Sequence, residues 1–247
     1  MLLLIDVGNT KVKWRFDVSG SKGRVHQLLH ENDWEVVSGA IAASVPSEYA
    51  LVDVYLASVL GRATDNLAVA LEGALAISVQ RYLPTSREGG FVGCYSEPHK
   101  LGVDRWLAIM EAWSRHGASI VIDCGTAITI DAASADGQHL GGYIVPGFKM
   151  HFSALASGTT QVKISDDAKA QLQLGCDTGA AVRNGVVHMA VAFINDVVRG
   201  LRHELVNPAV YLLGGDAHRV VEYLDCTVMQ DSSLILDGLS RVAKGRV

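Results

Sequence analysis

Two short acidic glycine turns carry the residue types best suited to chemistry in this chain. The segment IDVGNT at residues 5–10 recurs as IDCGTA at residues 122–127. In both copies an apolar run precedes the Asp-x-Gly turn and a second strand-like run follows it. Glycine permits a backbone with positive φ, which can point amide N–H groups at a bound phosphate. The carboxylate repels phosphate, so we expect it to act through Mg²⁺ or its water shell.

The pairing of the two turns says more than either turn alone. A lone Asp-x-Gly between strands is usually a plain hairpin turn. Two such turns in equivalent contexts, one in each half of the chain, indicate that both bind the same ligand. We expect the two hairpins to bind the β- and γ-phosphates of ATP from opposite sides. The P-loop and Rossmann glycine motifs are missing from the sequence, which disfavours those nucleotide sites. A third glycine element, LGGDA at residues 213–217, either lets an adenine or ribose approach closely or forms a simple strand-to-helix turn.

The elements that must position these turns alternate between strands and helices, which predicts an α/β fold. Residues 11–16 alternate apolar and basic side chains, the pattern of a half-buried strand. Residues 87–102, rich in glycine, proline and polar side chains, predict a loop of functional length. The other predicted strands are residues 2–5, 52–59, 78–83, 120–122, 126–132, 141–145 and 211–213. The predicted helices are residues 65–75, 104–116 with Gly117 just past the end, 178 to about 205 as one segment or as two broken near Gly200, and one that follows Asp216 and runs to about Leu224.

Composition excludes several classes of protein. The chain has 247 residues, and its 21 basic and 26 acidic side chains give a net charge of -5, so no nucleic acid or anionic membrane is expected as a partner. The short apolar N-terminal run ends in an acid and lacks the features of a signal peptide, and no apolar run reaches the length of a membrane span. The 4 cysteines include no C-x-x-C pair. We therefore expect a cytoplasmic protein without disulfides or a zinc site.

The order of several short motifs resembles the type III pantothenate kinases of the acetate-and-sugar-kinase/Hsp70/actin superfamily. The resemblance runs almost from end to end; each motif is common alone, but the whole set in this order is not. The matching motifs are DVGNT at residues 6–10, GVDR at 102–105, DCGTA at 123–127, GGYIVPG at 141–147, DT at 177–178 with NG at 184–185, GGDA at 214–217 and DGL at 237–239.

The resemblance implies a fold, a reaction and its cofactors. The fold is two ribonuclease-H-like domains of the actin-like ATPase type, residues 1–116 and 117–247, with a nucleotide cleft between them. The reaction is ATP-dependent phosphorylation of the 4′-hydroxyl of pantothenate, the first step of coenzyme A synthesis, carried out by a homodimer. The implied ions are Mg²⁺ or another divalent ion and a monovalent cation, K⁺ or NH₄⁺.

The resemblance also implies roles for single residues. It implies that Asp123 binds the monovalent cation, that Asp104 is the catalytic base and that Asp6 contacts Mg²⁺ indirectly. The implied ATP-binding residues are Asp6, Val7, Gly8, Asn9, Thr10, Lys11, Val12, Lys13 and Thr126. The implied pantothenate-binding residues are Tyr95, Gly102, Val103, Asp104, Arg105 and Thr178, the last from near the subunit interface.

These residue types suit phosphoryl transfer, in which positioning and charge stabilisation dominate. Asp104 could accept the proton of the pantothenate hydroxyl. The alternative is that it only stabilises the start of its helix, as acids in the first helical turn do. Arg105 offers a planar fork for a carboxylate, or it forms a surface ion pair. Tyr95 could use its hydroxyl on substrate or stand exposed on its loop. Thr178 could contact substrate, cap its helix, or do both.

Other reactive or large side chains have simpler interpretations. We expect Cys124 to be a small packing residue rather than a nucleophile. The 9 histidines show no metal-ligand spacing, so we treat them as surface or core residues. Trp106 and Trp113 share a helical stripe with Ile109 and Met110, which either packs in the core or helps to form the dimer.

Two other functions fit the same fold. A non-catalytic actin-like nucleotide-binding module or accessory regulator would bind nucleotide without transferring phosphate, but such a binder has no use for Asp104 and Arg105. Among enzymes, the alternative is another small-molecule kinase of the same superfamily, for a sugar or acetate. A chain of 247 residues leaves little room for the insertions that those larger relatives carry.

Overall fold

The protein divides into two compact units, each with its own sheet. The computed structural model describes residues 1–158 and 171–245. The first unit comprises Met1–Glu111 and Ser233–Val247, and the second comprises Ala112–Ser232. Each sheet contains both parallel and antiparallel pairs and is accompanied by helices, so the predicted α/β class is confirmed.

The first unit is organised around one strand that is buried on both faces. From Leu3 to Val7 every residue of this strand is buried, because neighbouring residues point to opposite faces and both faces are covered. The elements are β1 (Leu2–Val7), β2 (Lys11–Val18), β3 (Ser21–Lys22), β4 (His26–Leu29), α1 (Trp34–Ala43), β5 (Asp53–Ser58), α2 (Ala63–Leu75), β6 (Val79–Arg81), β7 (Arg87–Glu88), β8 (Phe91–Val92), a 3-10 turn (Pro98–Lys100) and α3 (Val103–His116), whose last turn belongs to the second unit.

The second unit contains the longest helix, which packs its apolar face on the second sheet. The Asp177 side chain accepts the N–H of Ala180 at 2.8 Å and so caps the start of this helix. Its buried residues, including Val187 and Ile194, share a core with Ile122. The elements are β9 (Ser119–Cys124), β10 (Ala127–Ala133), β11 (His139–Pro146), α4 (Phe148–Gly158), α5 (Thr178–Glu204), β12 (Ala209–Leu213), two 3-10 turns (Ala217–Arg219 and Val221–Tyr223) and β13 (Met229–Gln230).

The two sheets repeat the same strand order. The first runs β3-β2-β1-β5-β6, with β4 also paired to β2, and the second runs β11-β10-β9-β12-β13. In each sheet the first strand forms an antiparallel hairpin on one side and a parallel pair on the other. Asp6 and Asp123 occupy the penultimate positions of β1 and β9. The internal repeat read from the sequence is therefore a repeat of topology, with the two acidic residues at equivalent places.

The C-terminal helix, α6 (Leu234–Ala243), belongs to the first unit. Gly238 comes so close to α3 that a Cβ there would lie 2.4 Å from the carbonyl oxygen of Leu107. Every residue of α6 from Leu234 to Ser240 is buried, and the helix contacts β1, β2 and β5. The division predicted at residues 116 and 117 therefore differs from the structural one at this helix, because its packing surface lies on elements from the start of the chain.

A buried ion network ties α6 to β2. Arg15 donates to Asp17 at 2.7 Å and to Asp237 at 2.6 Å, and its side chain is only 1% exposed. Lys22 donates to the second oxygen of Asp237 at 2.6 Å, and Ser240 donates to Asp17 at 2.8 Å. The half-buried pattern of residues 11–16 predicts that its basic residues, Arg15 among them, face solvent; for Arg15 this is wrong, because α6 covers that face.

Helices α1, α4 and α6 are not among the predicted elements, and other elements differ from the predictions in type or boundary. Asp6 and Val7 end strand β1 rather than open the turn. The predicted loop at residues 87–102 contains the hairpin β7–β8 and a 3-10 turn. The predicted helix after Asp216 is two 3-10 turns. Of the two alternatives for residues 178 to about 205, the single segment is confirmed: α5 passes through Gly200 without a break, since one glycine costs a long packed helix only about 1 kcal/mol.

Candidate active site

The first acidic turn closes the hairpin between β1 and β2. The Gly8 N–H donates to the carbonyl of Lys11 at 3.0 Å, which fixes a tight turn beyond the last strand pair. Asp6 lies opposite Lys13 in the ladder and is 6% exposed. The predicted ATP-binding residues that are exposed at the turn are Asn9, Thr10 and Lys11. The turn therefore presents polar groups at the end of an otherwise apolar strand.

His30 supports the first turn. The Asn32 N–H donates to His30 Nδ1 at 3.1 Å, so the ring proton is on Nε2, which donates to the Gly8 carbonyl at 3.1 Å. Trp34 stacks on the imidazole with ring centroids 4.9 Å apart, and His30 is 4% exposed. Sequence reasoning missed this residue, because the contact depends on the pairing of β4 with β2 and no local spacing signals it.

The second acidic turn closes the hairpin between β9 and β10 in the same manner. The Gly125 N–H donates to the carbonyl of Ala127 at 3.0 Å, and Thr126 is exposed at the tip. Asp123 pairs with Thr129 in the ladder and is half-buried. Both turns thus combine a glycine N–H used internally, an exposed hydroxyl residue and a carboxylate at the strand end.

Neither turn requires glycine for its own backbone. Gly8 and Gly125 are not among the residues with positive φ, so the expectation that glycine provides positive φ here is wrong. A Cβ at Gly8 would lie 3.6 Å from the nearest atom, the Lys11 carbonyl oxygen, and a Cβ at Gly125 would lie 3.4 Å from Asp123 Oδ1. Both are ordinary contact distances. The fold therefore has room for alanine at both turns.

Two other glycines in the second unit are required by the fold. A Cβ at Gly147 would lie 2.3 Å from the Thr126 carbonyl oxygen. Gly214 has φ +96°, and its Cβ would lie 2.3 Å from the Cys124 carbonyl oxygen and 2.5 Å from Asp123 Oδ1. No side chain fits at either position, so these glycines allow neighbouring strand ends to approach closely.

The oxygen atoms beside Gly214 are suited to a cation. Asp123 Oδ1 and the Cys124 carbonyl oxygen lie side by side against Gly214, and the carbonyl also accepts the Asp216 N–H at 2.9 Å. Carboxylate and carbonyl oxygens are the donors that hard cations prefer, and carbonyl oxygens also replace the hydration shell of K⁺ in other proteins. The residues present therefore fit the monovalent cation that the resemblance implies at Asp123.

Five of the six predicted pantothenate residues lie together at the start of α3, which begins at Val103. Arg105 Nη1 donates to the Tyr95 hydroxyl at 3.2 Å, and the Arg105 N–H donates to Asp104 Oδ1 at 2.8 Å. A Cβ at Gly102 would lie 2.6 Å from the same carboxylate oxygen. Arg105 is 8% exposed, so it is not a surface ion pair. The buried guanidinium, the carboxylate and the phenol form one polar cluster in the first unit.

Thr178, the remaining predicted pantothenate residue, lies in the second unit. It is the first residue of α5 and is exposed, and the N-cap is Asp177 rather than Thr178. Thr178 lines a surface pocket of about 980 Å³. Its neighbours in that pocket include His151, Leu155, Cys176 and Met189.

The simpler interpretations of other side chains agree with their surroundings. Cys124 is fully buried, and burial together with the nearby charges of Asp123 and Asp216 raises the pKa of its thiol far above the ordinary value. Such a thiol stays protonated and is a poor nucleophile. Trp106, Ile109 and Met110 are fully buried core residues.

Comparison with solved structures identifies the fold. A Baf family protein from Campylobacter jejuni matches over 98% of this chain and 97% of its own, with a TM-score of 0.59 and 22% identity. The ethanolamine utilization protein EutJ from Carboxydothermus hydrogenoformans matches over 96% of this chain and 87% of its own, with a TM-score of 0.53 and 12% identity. At these identities the similarity concerns the fold alone.

Sequence comparison identifies the family. The family model for type III pantothenate kinase matches residues 2–200. A type III pantothenate kinase of Alcanivorax borkumensis is 42% identical, with 98% of each chain covered. One of Nitrosococcus oceani is 32% identical, covering 99% of this chain and 94% of the relative. Together with the two Asp-x-Gly hairpins and the cluster at the start of α3, these matches mean that the chain belongs to the type III pantothenate kinase family.

Proposed function

We propose that this kinase binds the phosphates of ATP at its two Asp-x-Gly turns and binds pantothenate at Tyr95, Asp104 and Arg105. Family membership makes the chain an ATP-dependent kinase that phosphorylates pantothenate, the first step of coenzyme A synthesis. The observation that carries the proposal is the unused space at Gly8 and Gly125. A ligand that approaches the backbone closely explains a glycine that the fold does not need.

The ATP-binding set that we propose is the one implied by the resemblance. At the first turn the exposed hydroxyl and amide groups would donate to phosphate oxygens, and Lys11 and Lys13 add positive charge. At the second turn Thr126 would supply the hydroxyl. His30 supports this set, because its hydrogen bond to Gly8 limits the movement of the first turn. The proposed residues are Asp6, Val7, Gly8, Asn9, Thr10, Lys11, Val12, Lys13 and Thr126.

On the pantothenate side, the cluster at the start of α3 provides a base and a carboxylate receptor. Asp104 would accept the proton of the primary hydroxyl as its oxygen bonds to the γ-phosphorus and the bond from phosphorus to the ADP oxygen breaks. Such a base contributes about 10²–10⁴-fold to the rate. Arg105 would bind the pantothenate carboxylate through two hydrogen bonds, and Tyr95 would contact the substrate beside it. Gly102, Val103 and Thr178 complete the proposed set.

Two ions complete the proposal. Mg²⁺ or another divalent ion would be held mainly by the phosphates of ATP and by water, with Asp6 acting through that water. This arrangement is typical of Mg²⁺ and agrees with the absence of three clustered His, Cys, Asp or Glu side chains in the described residues. Asp123 would hold K⁺ or NH₄⁺. When bound, these cations supply positive charge that offsets the charge of the phosphates.

A coupled assay of ADP release tests the proposed function. We expect ADP to form only when pantothenate, Mg²⁺ and K⁺ or NH₄⁺ are all present. Replacing Asp123 by Asn should remove most of the activation by the monovalent cation while leaving the KM for pantothenate within about twofold, because Asp123 is not one of the proposed pantothenate-binding residues. ADP formation that does not depend on pantothenate would contradict the substrate, and unchanged cation activation in Asp123→Asn would contradict the cation site.

We also propose that the protein forms a homodimer through its second unit. Strand β11 lies at the end of its sheet and exposes Tyr143 and Ile144 at 56% and 61%. An apolar edge strand left open tends to pair with other chains, and a second copy of this chain would cover it. Met150 and Met189 add exposed apolar surface in the same unit.

A cytoplasmic location is part of the proposal. All 4 cysteines are free thiols, as expected in a reducing compartment. Within the described ranges the helices are too short or too polar to cross a membrane.

A further inference from the structure

The segment from Tyr82 to Tyr95, here called the loop, is attached to the first turn of α3 at both of its ends. At its far end, the Tyr95 hydroxyl accepts a hydrogen bond from Arg105 at 3.2 Å. At its near end, the Tyr82 hydroxyl accepts a hydrogen bond from Trp106 Nε1 at 2.8 Å. Arg105 and Trp106 are adjacent residues, so one helical turn holds both ends of the loop.

The near attachment is itself anchored in the first sheet. The Tyr82 N–H donates to the carbonyl of Leu56 on β5 at 2.9 Å. The Tyr82 hydroxyl also donates to Glu88 at 3.3 Å, on the short strand β7. Tyr82 therefore links a central strand, the hairpin of the loop and helix α3 through its backbone and a single hydroxyl.

The middle of the loop packs on the indole of Trp106. The ring of Phe91 lies 5.2 Å from the Trp106 ring, centroid to centroid. A Cβ at Gly93 would lie 3.0 Å from the indole, so only glycine lets the loop pass this close without a shift. Trp106 is fully buried. The indole thus sets the path of the chain two residues before Tyr95.

The Tyr82 hydroxyl keeps its proton throughout the usual assay range. Burial is the main cause that raises its pKa well above the ordinary value of 10.0; the hydrogen bond from Trp106 lowers it, and the nearby Glu88 raises it again. A neutral hydroxyl can accept from the indole and donate to Glu88 at the same time.

We propose that Tyr82 and Trp106 are positioning residues for pantothenate, holding the loop so that Tyr95 meets Arg105 at the substrate site. The inference rests on the proposed role of Tyr95 and Arg105. It predicts that removing the Tyr82–Trp106 hydrogen bond weakens the binding of pantothenate and leaves ATP unaffected.

The test is Tyr82→Phe, with Tyr211→Phe as the matched control. Tyr211 is buried in the second unit, and its hydroxyl shares a 2.8 Å hydrogen bond with the ring nitrogen of His116. We expect Tyr82→Phe to raise the KM for pantothenate by about five- to tenfold, within the range of coupling between contacting residues, with the KM for ATP within about twofold. Tyr211→Phe should leave both KM values within about twofold.

A double-mutant cycle with Trp106→Phe separates positioning from general loss of stability. Trp106→Phe loses the hydrogen bond and also alters the packing on Phe91 and Gly93, so its KM for pantothenate should be at least as high as that of Tyr82→Phe. Adding Tyr82→Phe to Trp106→Phe should raise this KM no further, because the hydrogen bond is already lost. The inference is overturned if Tyr82→Phe leaves the KM for pantothenate unchanged, or if it raises both KM values equally. Tyr95→Phe and Arg105→Lys identify which proposal has failed: if they raise the KM for pantothenate and Tyr82→Phe does not, only the inference fails. If they leave it unchanged, the proposed substrate site fails, and the inference fails with it.

Discussion

Replacing Asp104 by Asn is expected to lower kcat by about 10²–10⁴-fold, the usual contribution of a general base. Asn keeps the shape of the side chain and can still accept the Arg105 N–H, which now bonds to Asp104 Oδ1 at 2.8 Å. It cannot take up the proton of the substrate hydroxyl. We therefore expect the affinity for ATP, measured by calorimetry, to stay within about twofold, because only the transition state is affected.

Asp65→Asn is a suitable control for this variant. Asp65 forms an ion pair with Arg81 in the same unit, and its side chain is 58% exposed, so its replacement should leave kcat unchanged. The acidic limb of the pH–rate profile should also disappear in Asp104→Asn if this carboxylate is the base. A variant with near-normal kcat would show that another group removes the proton.

The second large effect is expected for Asp237→Asn, which should lower the free energy of unfolding by about 3–5 kcal/mol. The Asp237 side chain is 2% exposed and accepts from Arg15 and Lys22, each at 2.6 Å. Asp237→Asn removes the negative charge of this side chain. Arg15 then remains buried with Asp17 as its acidic partner on β2, and Lys22 loses its ion pair with Asp237. Denaturant unfolding followed by circular dichroism measures the change.

The acid dependence of stability gives an independent check on the same residue. Burial raises the pKa of Asp237, but hydrogen bonds from Lys22 and Arg15 and their charges more than offset it, so the pKa lies below the ordinary value of 3.8. A carboxyl with a lowered pKa in the folded state stabilises the protein above its unfolded pKa, and that contribution is lost as the pH falls through the folded pKa. The difference between wild type and Asp237→Asn should therefore be full at neutral pH and shrink below about pH 4.

The exposed ion pair of Asp65 again provides the comparison. Asp65→Asn should cost no more than about 1 kcal/mol at neutral pH, since exposed pairs contribute little. Two results would mean that the buried network does not hold α6 in place. One is an equal loss of unfolding free energy in Asp237→Asn and Asp65→Asn, and the other is a difference in unfolding free energy between wild type and Asp237→Asn that persists in strong acid.

The features that could be predicted from the sequence are local. An Asp-x-Gly motif between two strand-like runs signals its hairpin within about ten residues, and both hairpins lie where the sequence predicts them. The acid in the first turn of α3 and the glycine just after its last residue likewise predict the helix boundaries. Gly117 adopts φ +73°, a conformation that ends a helix and favours glycine. The repeated motif also predicts a hairpin in each half of the chain, whereas the strand order that the two sheets share is known only from the structure.

The features that could not be predicted depend on contacts between distant parts of the chain. Arg15 appears solvated in the alternation of β2, and only α6, more than 200 residues later, makes it a buried residue. His30 contacts Gly8 through strand pairing, and Tyr82 contacts Trp106 through the path of a long loop. In each case the partner is set by tertiary packing, which overrides the local pattern. The positive φ expected for the glycines of the two turns is wrong, since neither Gly8 nor Gly125 adopts it.

The most direct measurement of the central claim is the titration of ATP into Gly8→Ala and Gly125→Ala, with the stability of each variant measured in parallel. Because both positions have room for a methyl group, each variant should unfold with a free energy within about 1 kcal/mol of wild type. We expect wild type to bind one ATP per chain and each variant to bind it at least about tenfold more weakly, since a loss of about 1.4 kcal/mol is tenfold. Wild-type affinity in either variant would show that the turn concerned does not hold the nucleotide.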